Sequence, residues 1–436
     1  MSSAYFQVQE HVVPCQHIRE FPRATANSQE EVLHLAVKQY RPLDNTNPKP
    51  GDVTIIGAHA NGFPKELYEP LWDEILHRSS DCGIRIRNIW IADVSNQGAS
   101  GVMNEDELGN DPSWGDHPRD LLLMINHFRD QMPRPLVGMG HSMGSVHLVF
   151  LSLLHPRLFS TLILMDPVIQ PATDDPSPFP PTRTSTFRRD IWPSRIAATE
   201  AVNNNKFYQK WDDRVRERWL DYGLRDLPTP LYPDKSSIPD AEKPVTLTTS
   251  KHQEVFVFLR PNFGDPKSNH GDDVETIIDR TTYPGMDDSI SPPPAFYRPE
   301  TIRAWQLLPF VRPSVLYIFG GDSPNSRPQY RREKIERTGT GVGGSGGSKQ
   351  GRVDEVVLDG VGHLVAMEAV NACAEAAVPW LGREIQRWRD GEAAQFEEWR
   401  KRYPSEKAAV NEEWKKMITS GSQREYASKA LGSPKL

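Results

Sequence analysis

Ser142 is the residue whose neighbours best prepare it to attack a carbonyl. It lies in Gly140-His141-Ser142-Met143-Gly144, after the apolar run Pro135-Leu136-Val137-Gly138-Met139 and before a helical pattern from Ser145 to Leu154. A Gly-x-Ser-x-Gly run between strand and helix is a nucleophile elbow, a tight turn that exposes the hydroxyl and aims the first helical N–H groups at its target. The pattern is short, and the chain carries it twice, again in Gly343-Gly344-Ser345-Gly346-Gly347. No apolar strand precedes the second copy, and Lys and Arg flank it, so it reads as a flexible loop.

A serine hydroxyl needs a base to take its proton. Of the 13 histidines, His363 is best placed, in the turn Asp359-Gly360-Val361-Gly362-His363 after an apolar run. The acid that orients the base has two candidates. Asp166 follows Thr161-Leu162-Ile163-Leu164-Met165; Asp322 follows Ser314 to Phe319, the commoner place for the acid. Either aspartate could instead cap a turn or helix, and position alone leaves the two even. The oxyanion hole requires two backbone N–H donors. Met143, directly after the nucleophile, supplies one, and Asn61 in His59-Ala60-Asn61-Gly62 the other, with Gly62 as the neighbour it could be confused with. The order Ser, Asp, His is that of an α/β-hydrolase. This chemistry needs no metal and no cofactor.

Other clusters are weaker. The Gly-rich loop is no P-loop, because Ser348 separates Gly347 from Lys349. Arg331, Arg332, Lys334, Arg337, Lys349 and Arg352 surround it and could meet substrate phosphates, although a solvated surface is the simpler expectation.

The elements that must position these residues alternate strand and helix. Strands are expected over 5–13, 32–40, 53–58, 84–92, 135–139, 161–165, 314–319 and 352–358, with helices over 65–77, 118–132, 145–154, 329–337 and 364–389. Residues 94–115 read as one long polar loop. The fold class is therefore α/β, with a mostly parallel sheet covered by helices on both faces and an inserted cap. The expected organisation is core 1–167, cap 168–311, core 312–390 and a charged helical tail 391–436. His59, Asp93, Ser142, Asp166, Asp322 and His363 all fall just after expected strands, where such sheets gather their chemistry.

Bulk properties narrow the partners. The 436 residues carry a net charge of −7, which exerts no general pull on nucleic acid. Cys15, Cys82 and Cys373 are far apart, with no metal-ligand spacing, and point to a reducing compartment. The N-terminus lacks the basic and apolar regions of a secretory signal, and no apolar run has membrane-spanning length. The end, Pro434-Lys435-Leu436, has the small–basic–Leu form of a peroxisomal address, with proline in the first place.

With these residues in view the chain resembles the fungal secondary-metabolite α/β-hydrolases, which include peroxisomal acyl-CoA hydrolases of the mycophenolic acid pathway and toxin-biosynthesis hydrolases of plant-pathogenic fungi. The resemblance covers about residues 5–400 and rests on PKELYEPLW (64–72), DLLLMINHFRDQMPRPLVGMGHS (120–142), HPRLFSTLILMDP (155–167), RDLPTPLYPD (225–234), PVTLTT (244–249) and GVGGSGG (341–347). It implies hydrolysis of an acyl-CoA thioester, with a polyketide- or terpenoid-derived acyl group, by Ser142, Asp166 and His363. Asp322 at the usual acid position is a departure from the family pattern. The resemblance also implies a peroxisomal location, through an import receptor that reads the C-terminal tripeptide, and leaves room for a homodimer. A carboxylesterase, lactonase or acyltransferase would use the same triad. Dehalogenase and epoxide hydrolase chemistry would need a carboxylate in place of Ser142.

Overall fold

The structure is a computed structural model that describes residues 4–171, 180–233, 243–263, 285–286 and 294–420. The C-terminal tripeptide and parts of 168–311 lie outside these residues. Eight strands form the main sheet: β1 Phe6–Pro14, β2 His34–Pro42, β3 Val53–Ala58, β4 Ile86–Ala92, β5 Leu136–His141, β6 Phe159–Met165, β7 Ser314–Gly320 and β8 Val353–Leu358. Their order is β1-β2-β4-β3-β5-β6-β7-β8. The β1–β2 and β2–β4 pairs are antiparallel, and all later pairs are parallel.

Every residue of β3, β5 and β7 is buried. A parallel strand covered on both faces has no solvent side, so its sequence runs apolar without alternation. The two faces still separate by the period of two. Ile163 and Met165 join one core, with Trp72, Ala377 and Leu381; Leu162 and Leu164 join the other, with Leu121, Val146 and Leu308. Burying each such aliphatic side chain stabilises the fold by about 1.5–3 kcal/mol.

The helices of the first half are α1 Glu69–Ser79, α2 Gly98–Met103, α3 Asp116–His127 and α4 Met143–Leu154. α2 interrupts the stretch expected as one loop. Its sequence, Gly-Ala-Ser-Gly-Val-Met, is small and has no amphipathic period, so it gives no helical signal. Between β6 and β7 come α5 Pro180–Phe187, α6 Arg195–Asn203, α7 Asp213–Tyr222, α8 Lys251–Phe258 and α9 Pro299–Leu307, with short strand pairs among them. Then follow α10 Pro328–Arg337, α11 Val365–Glu368 and α12 Val370–Trp388. The Gly-rich loop is tied down: the N–H groups of Gly339, Gly341 and Ser345 donate to the carbonyls of Leu308, Pro309 and Val311 at 2.8–3.0 Å.

Contacts divide the chain into two units, residues 1–385 and 386–436. The second contains α13 Ala394–Lys401, α14 Pro404–Ala408 and α15 Glu412–Ser420. Among the described residues no helix is long and apolar enough to cross a membrane.

Candidate active site

Ser142 sits between β5 and α4 with φ 56° and ψ −115°. A non-glycine residue holds such a conformation only where its surroundings over-determine it. Here Ser142 N–H donates to Met165 O at 2.9 Å, and Ser145 Oγ–H donates to Gly140 O at 2.8 Å. The flanking glycines are required by space. A Cβ on Gly140 would lie 2.6 Å from Gly144 O, and one on Gly144 only 2.1 Å from Ala58 O. The second contact also shows that the end of β3 abuts the start of α4.

Three of the expected residues come together from three strand ends. Ser142 Oγ lies 2.8 Å from His363 Nε2, and His363 Nδ1 lies 2.5 Å from Asp166 Oδ2. Ser142 is 6 % exposed, the His363 side chain 28 % and that of Asp166 fully buried. Asp166 is delivered by the register of β6 against β7, in which Met165 pairs with Ile318 and Asp166 N–H donates to Ile318 O at 2.8 Å. Its carboxylate also accepts from Gly320 N–H at 3.1 Å, from Ser323 Oγ–H at 2.6 Å and from the Ser326 hydroxyl. Burial would push this carboxyl group up. The hydrogen bonds from His363, Ser323 and Ser326 outweigh burial and hold it below the usual carboxylate range. A carboxylate so placed favours the imidazole tautomer with its proton on Nδ1, an arrangement in which Nε2 can accept a proton from Ser142 Oγ.

Asp322 is elsewhere. It is exposed, and its backbone N–H donates to Val361 O at 3.0 Å. It helps tie the β7 turn to the turn before His363, while its carboxylate has no hydrogen bond to the imidazole among the described residues.

His141 links three parts of the site. Its Nε2 lies 3.0 Å from His363 O and its Nδ1 3.0 Å from Tyr68 Oη. The carbonyl can only accept, so Nε2 carries the proton, and Tyr68 donates to Nδ1. Tyr68 Oη in turn accepts from Ala60 N–H at 2.8 Å. One buried chain therefore runs from the loop after β3, through the elbow, to the backbone of His363. His59 plays a local part: its ring nitrogens meet Ala60 O at 2.8 Å and Val94 N–H at 2.9 Å. Asp93 pairs with buried Lys65 at 2.7 Å.

In the loop after β3, Phe63 N–H donates to Ala60 O at 3.3 Å and Gly62 N–H to Gln97 Oε1 at 2.7 Å. Among the described residues the N–H groups of Asn61 and Met143 have no hydrogen-bond partner. Residues between β6 and β7 reach both sides of the site. Asn61 Nδ2–H donates to Glu254 O at 3.0 Å, Phe63 packs on Trp211 at 5.5 Å between ring centroids, and Asp212 N–H donates to Met367 O at 2.8 Å. Tyr68, Gln97, Ser323 and Ser326 carry no catalytic motif; Tyr68 lies within the family string PKELYEPLW, Ser323 stands beside a conspicuous aspartate, and Gln97 and Ser326 have no signal at all. Among the described residues no group of three or more His, Cys, Asp or Glu side chains could hold a metal ion.

Residues 55–377 match the family model described as alpha/beta hydrolase family. The chain is 45 % identical over 416 residues to the type I acyl-CoA thioesterase mpaH of Penicillium roqueforti, covering 91 % of this chain and 92 % of that protein. It is 44 % identical over 436 residues to the type I acyl-CoA thioesterase mpaH' of Penicillium brevicompactum, covering 96 % of each. Among solved structures it resembles the peroxisomal alpha-beta-hydrolase Lpx1 of Saccharomyces cerevisiae, with a TM-score of 0.65, 17 % identity and coverage of 98 % and 99 %. At that identity the likeness is one of fold.

Proposed function

This chain belongs to the alpha/beta hydrolase family, and from that premise we propose that it is a serine acyl-CoA thioesterase, releasing a polyketide- or terpenoid-derived acid and CoA. The observation that carries the reading is the hydrogen-bonded line Ser142–His363–Asp166, in a chain similar over nearly its full length to two type I acyl-CoA thioesterases.

Ser142 Oγ attacks the thioester carbonyl carbon as its proton passes to His363 Nε2. Asp166 stabilises the imidazolium that forms. The carbonyl oxygen becomes an oxyanion and accepts from the N–H groups of Asn61 and Met143. The intermediate collapses with cleavage of the C–S bond, and His363 returns the proton to the departing CoA sulfur. His363 then takes a proton from water, the hydroxide adds to the acyl-serine, and collapse frees the acid and restores Ser142.

The described residues of 168–311 act as a cap over the acyl pocket, a role supported by the contacts of Glu254 and Trp211 with the loop that carries Asn61 and of Asp212 with α11, just after His363. Location in the peroxisome, by way of an import receptor, rests on Pro434-Lys435-Leu436. Ser142→Ala should keep the fold and lose turnover of acyl-CoA thioesters, whereas full turnover in that variant would overturn the mechanism. Assaying an acyl-CoA beside the ester of the same acid separates the thioesterase from an esterase, and adding an alcohol acceptor exposes an acyltransferase.

A further inference from the structure

The four consecutive N–H groups from Ala60 to Phe63 have different fates. Ala60 donates to Tyr68 Oη, Gly62 to Gln97 Oε1 and Phe63 to Ala60 O, which leaves only that of Asn61 without a partner among the described residues. The closing bond and Gly62 at φ +85° make this a type II turn. Glycine tolerates either hand of φ, so glycine by itself does not choose the orientation of the Asn61–Gly62 peptide plane. An outside hydrogen bond must choose it.

Gln97 supplies that bond and uses its whole amide on this loop. Its Oε1 accepts from Gly62 N–H at 2.7 Å, and its Nε2–H donates to Asn61 Oδ1 at 2.6 Å. Gln97 is fully buried, and its backbone is held on both sides, its N–H donating to Val94 O and its carbonyl accepting from Gly101 N–H, each at 2.8 Å. With Nδ2 of Asn61 on Glu254 O at 3.0 Å, the asparagine side chain is held at both polar atoms. A Cβ on Gly62 would lie 2.9 Å from Glu254 Cδ, so the turn has little room to shift towards α8.

We propose that Gln97 is the positioning residue of the oxyanion hole: by taking the Gly62 N–H out of play and clamping the Asn61 side chain, it fixes the turn in the one form that leaves the Asn61 N–H for the substrate oxygen. The inference rests on the serine-hydrolase reading above and deepens it. Gln97 touches no reacting atom. Its loss should therefore weaken binding of the tetrahedral species while ground-state binding stays nearly unchanged.

The test compares Gln97→Met, which keeps length and removes both polar atoms, with Gln97→Glu, which keeps an acceptor for Gly62 and sets an oxygen against Asn61 Oδ1. The substrate is whichever acyl-CoA or ester the wild-type protein turns over. Gln97→Met should lower kcat about 10- to 100-fold, the scale of a displaced or lost oxyanion donor. KM should stay within about threefold, as expected when only a transition-state interaction is removed. Affinity for an alkylboronic acid, which forms a tetrahedral adduct on the serine, should fall in parallel with kcat. A folded Gln97→Met protein with kcat within about twofold of wild type, or with reduced kcat and unchanged boronate affinity, would overturn the proposal. Should Gln97→Met not fold, Gln97→Glu is judged by the same measurements and limits. Fluorophosphonate labelling of the wild type separates the two levels. An unlabelled wild type sinks the serine-hydrolase reading itself, whereas a labelled wild type with unaffected Gln97 variants sinks only the role of Gln97.

Discussion

His141 Nε2 stands 3.0 Å from the backbone carbonyl of His363. The residue just before the nucleophile thus holds the main chain of the residue proposed to activate it. Elbow and base loop cannot drift apart without breaking this hydrogen bond, whose loss would leave the fully buried His141 Nε2 unpaired.

Tyr68→Phe tests this chain at its middle. The substitution removes one oxygen and leaves both Ala60 N–H and His141 Nδ1 without a partner. We expect stability to fall by about 1–3 kcal/mol, the usual cost of orphaned buried groups. Because both the oxyanion loop and the base loop loosen, kcat should fall about tenfold or more. Urea unfolding and steady-state kinetics check the two effects separately.

Asp166→Asn and Asp322→Asn should behave oppositely. An asparagine at 166 no longer enforces the imidazole tautomer that leaves Nε2 as the acceptor, and kcat should drop by about 10⁴. Asp322 is exposed and acts through its backbone N–H, which the substitution keeps, so kcat should stay within about twofold of wild type. Similar losses in both variants would contradict the assignment of Asp166 as the acid.

Stability should be sensitive to acid because of buried histidines. Burial pushes His141 and His147 down to about 3 from an ordinary 6.5, and drives His117 well down too. Between about pH 3 and 6.5 the unfolded chain binds protons that the folded chain refuses. The stabilisation is therefore complete above about pH 6.5 and is lost as pH falls toward 3, by about 1.4 kcal/mol per pH unit for each such histidine. His147→Leu, which removes one of these groups and leaves the triad alone, should flatten the decline of Tm between pH 7.5 and 5. A decline as steep as that of wild type would place the acid sensitivity elsewhere.

The two Gly-x-Ser-x-Gly copies should differ completely. Ser345→Ala should leave activity and stability unchanged within about 0.5 kcal/mol, because among the described residues the Ser345 hydroxyl's one hydrogen bond is a long one, from Gly347 N–H at 3.3 Å. Gly144→Ala drives a methyl group into Ala58 O, so it should abolish activity and sharply reduce soluble folded protein. Thermal melts and thioester turnover of both variants decide the matter.

Much of the site could be read from local order. Ser142 announced itself through an all-buried strand, two glycines and a helix start, all within about twenty residues, and His363 through a Gly-x-Gly turn at the end of the last strand. Other features lacked any local mark. α2 has no amphipathic period, and the Gly-rich loop looked free until its carbonyl partners at 308–311 were brought beside it.

Local φ/ψ demands and hydrophobic periodicity are written in neighbouring residues, so the sequence alone determined the strands, the elbow and the order Ser, Asp, His. Position along the chain left Asp166 and Asp322 even, since both follow a buried strand and precede a turn, and only the family resemblance favoured Asp166. The contact itself is tertiary: parallel pairing of β6 with β7 and of β7 with β8 sets the strand ends side by side, and Asp166 Oδ2 lies 2.5 Å from a histidine 197 residues away. Gln97, Tyr68, Ser323 and Ser326 likewise acquire their partners only when strand ends converge, because a hydrogen bond depends on distances below about 3.2 Å that no spacing along the chain encodes.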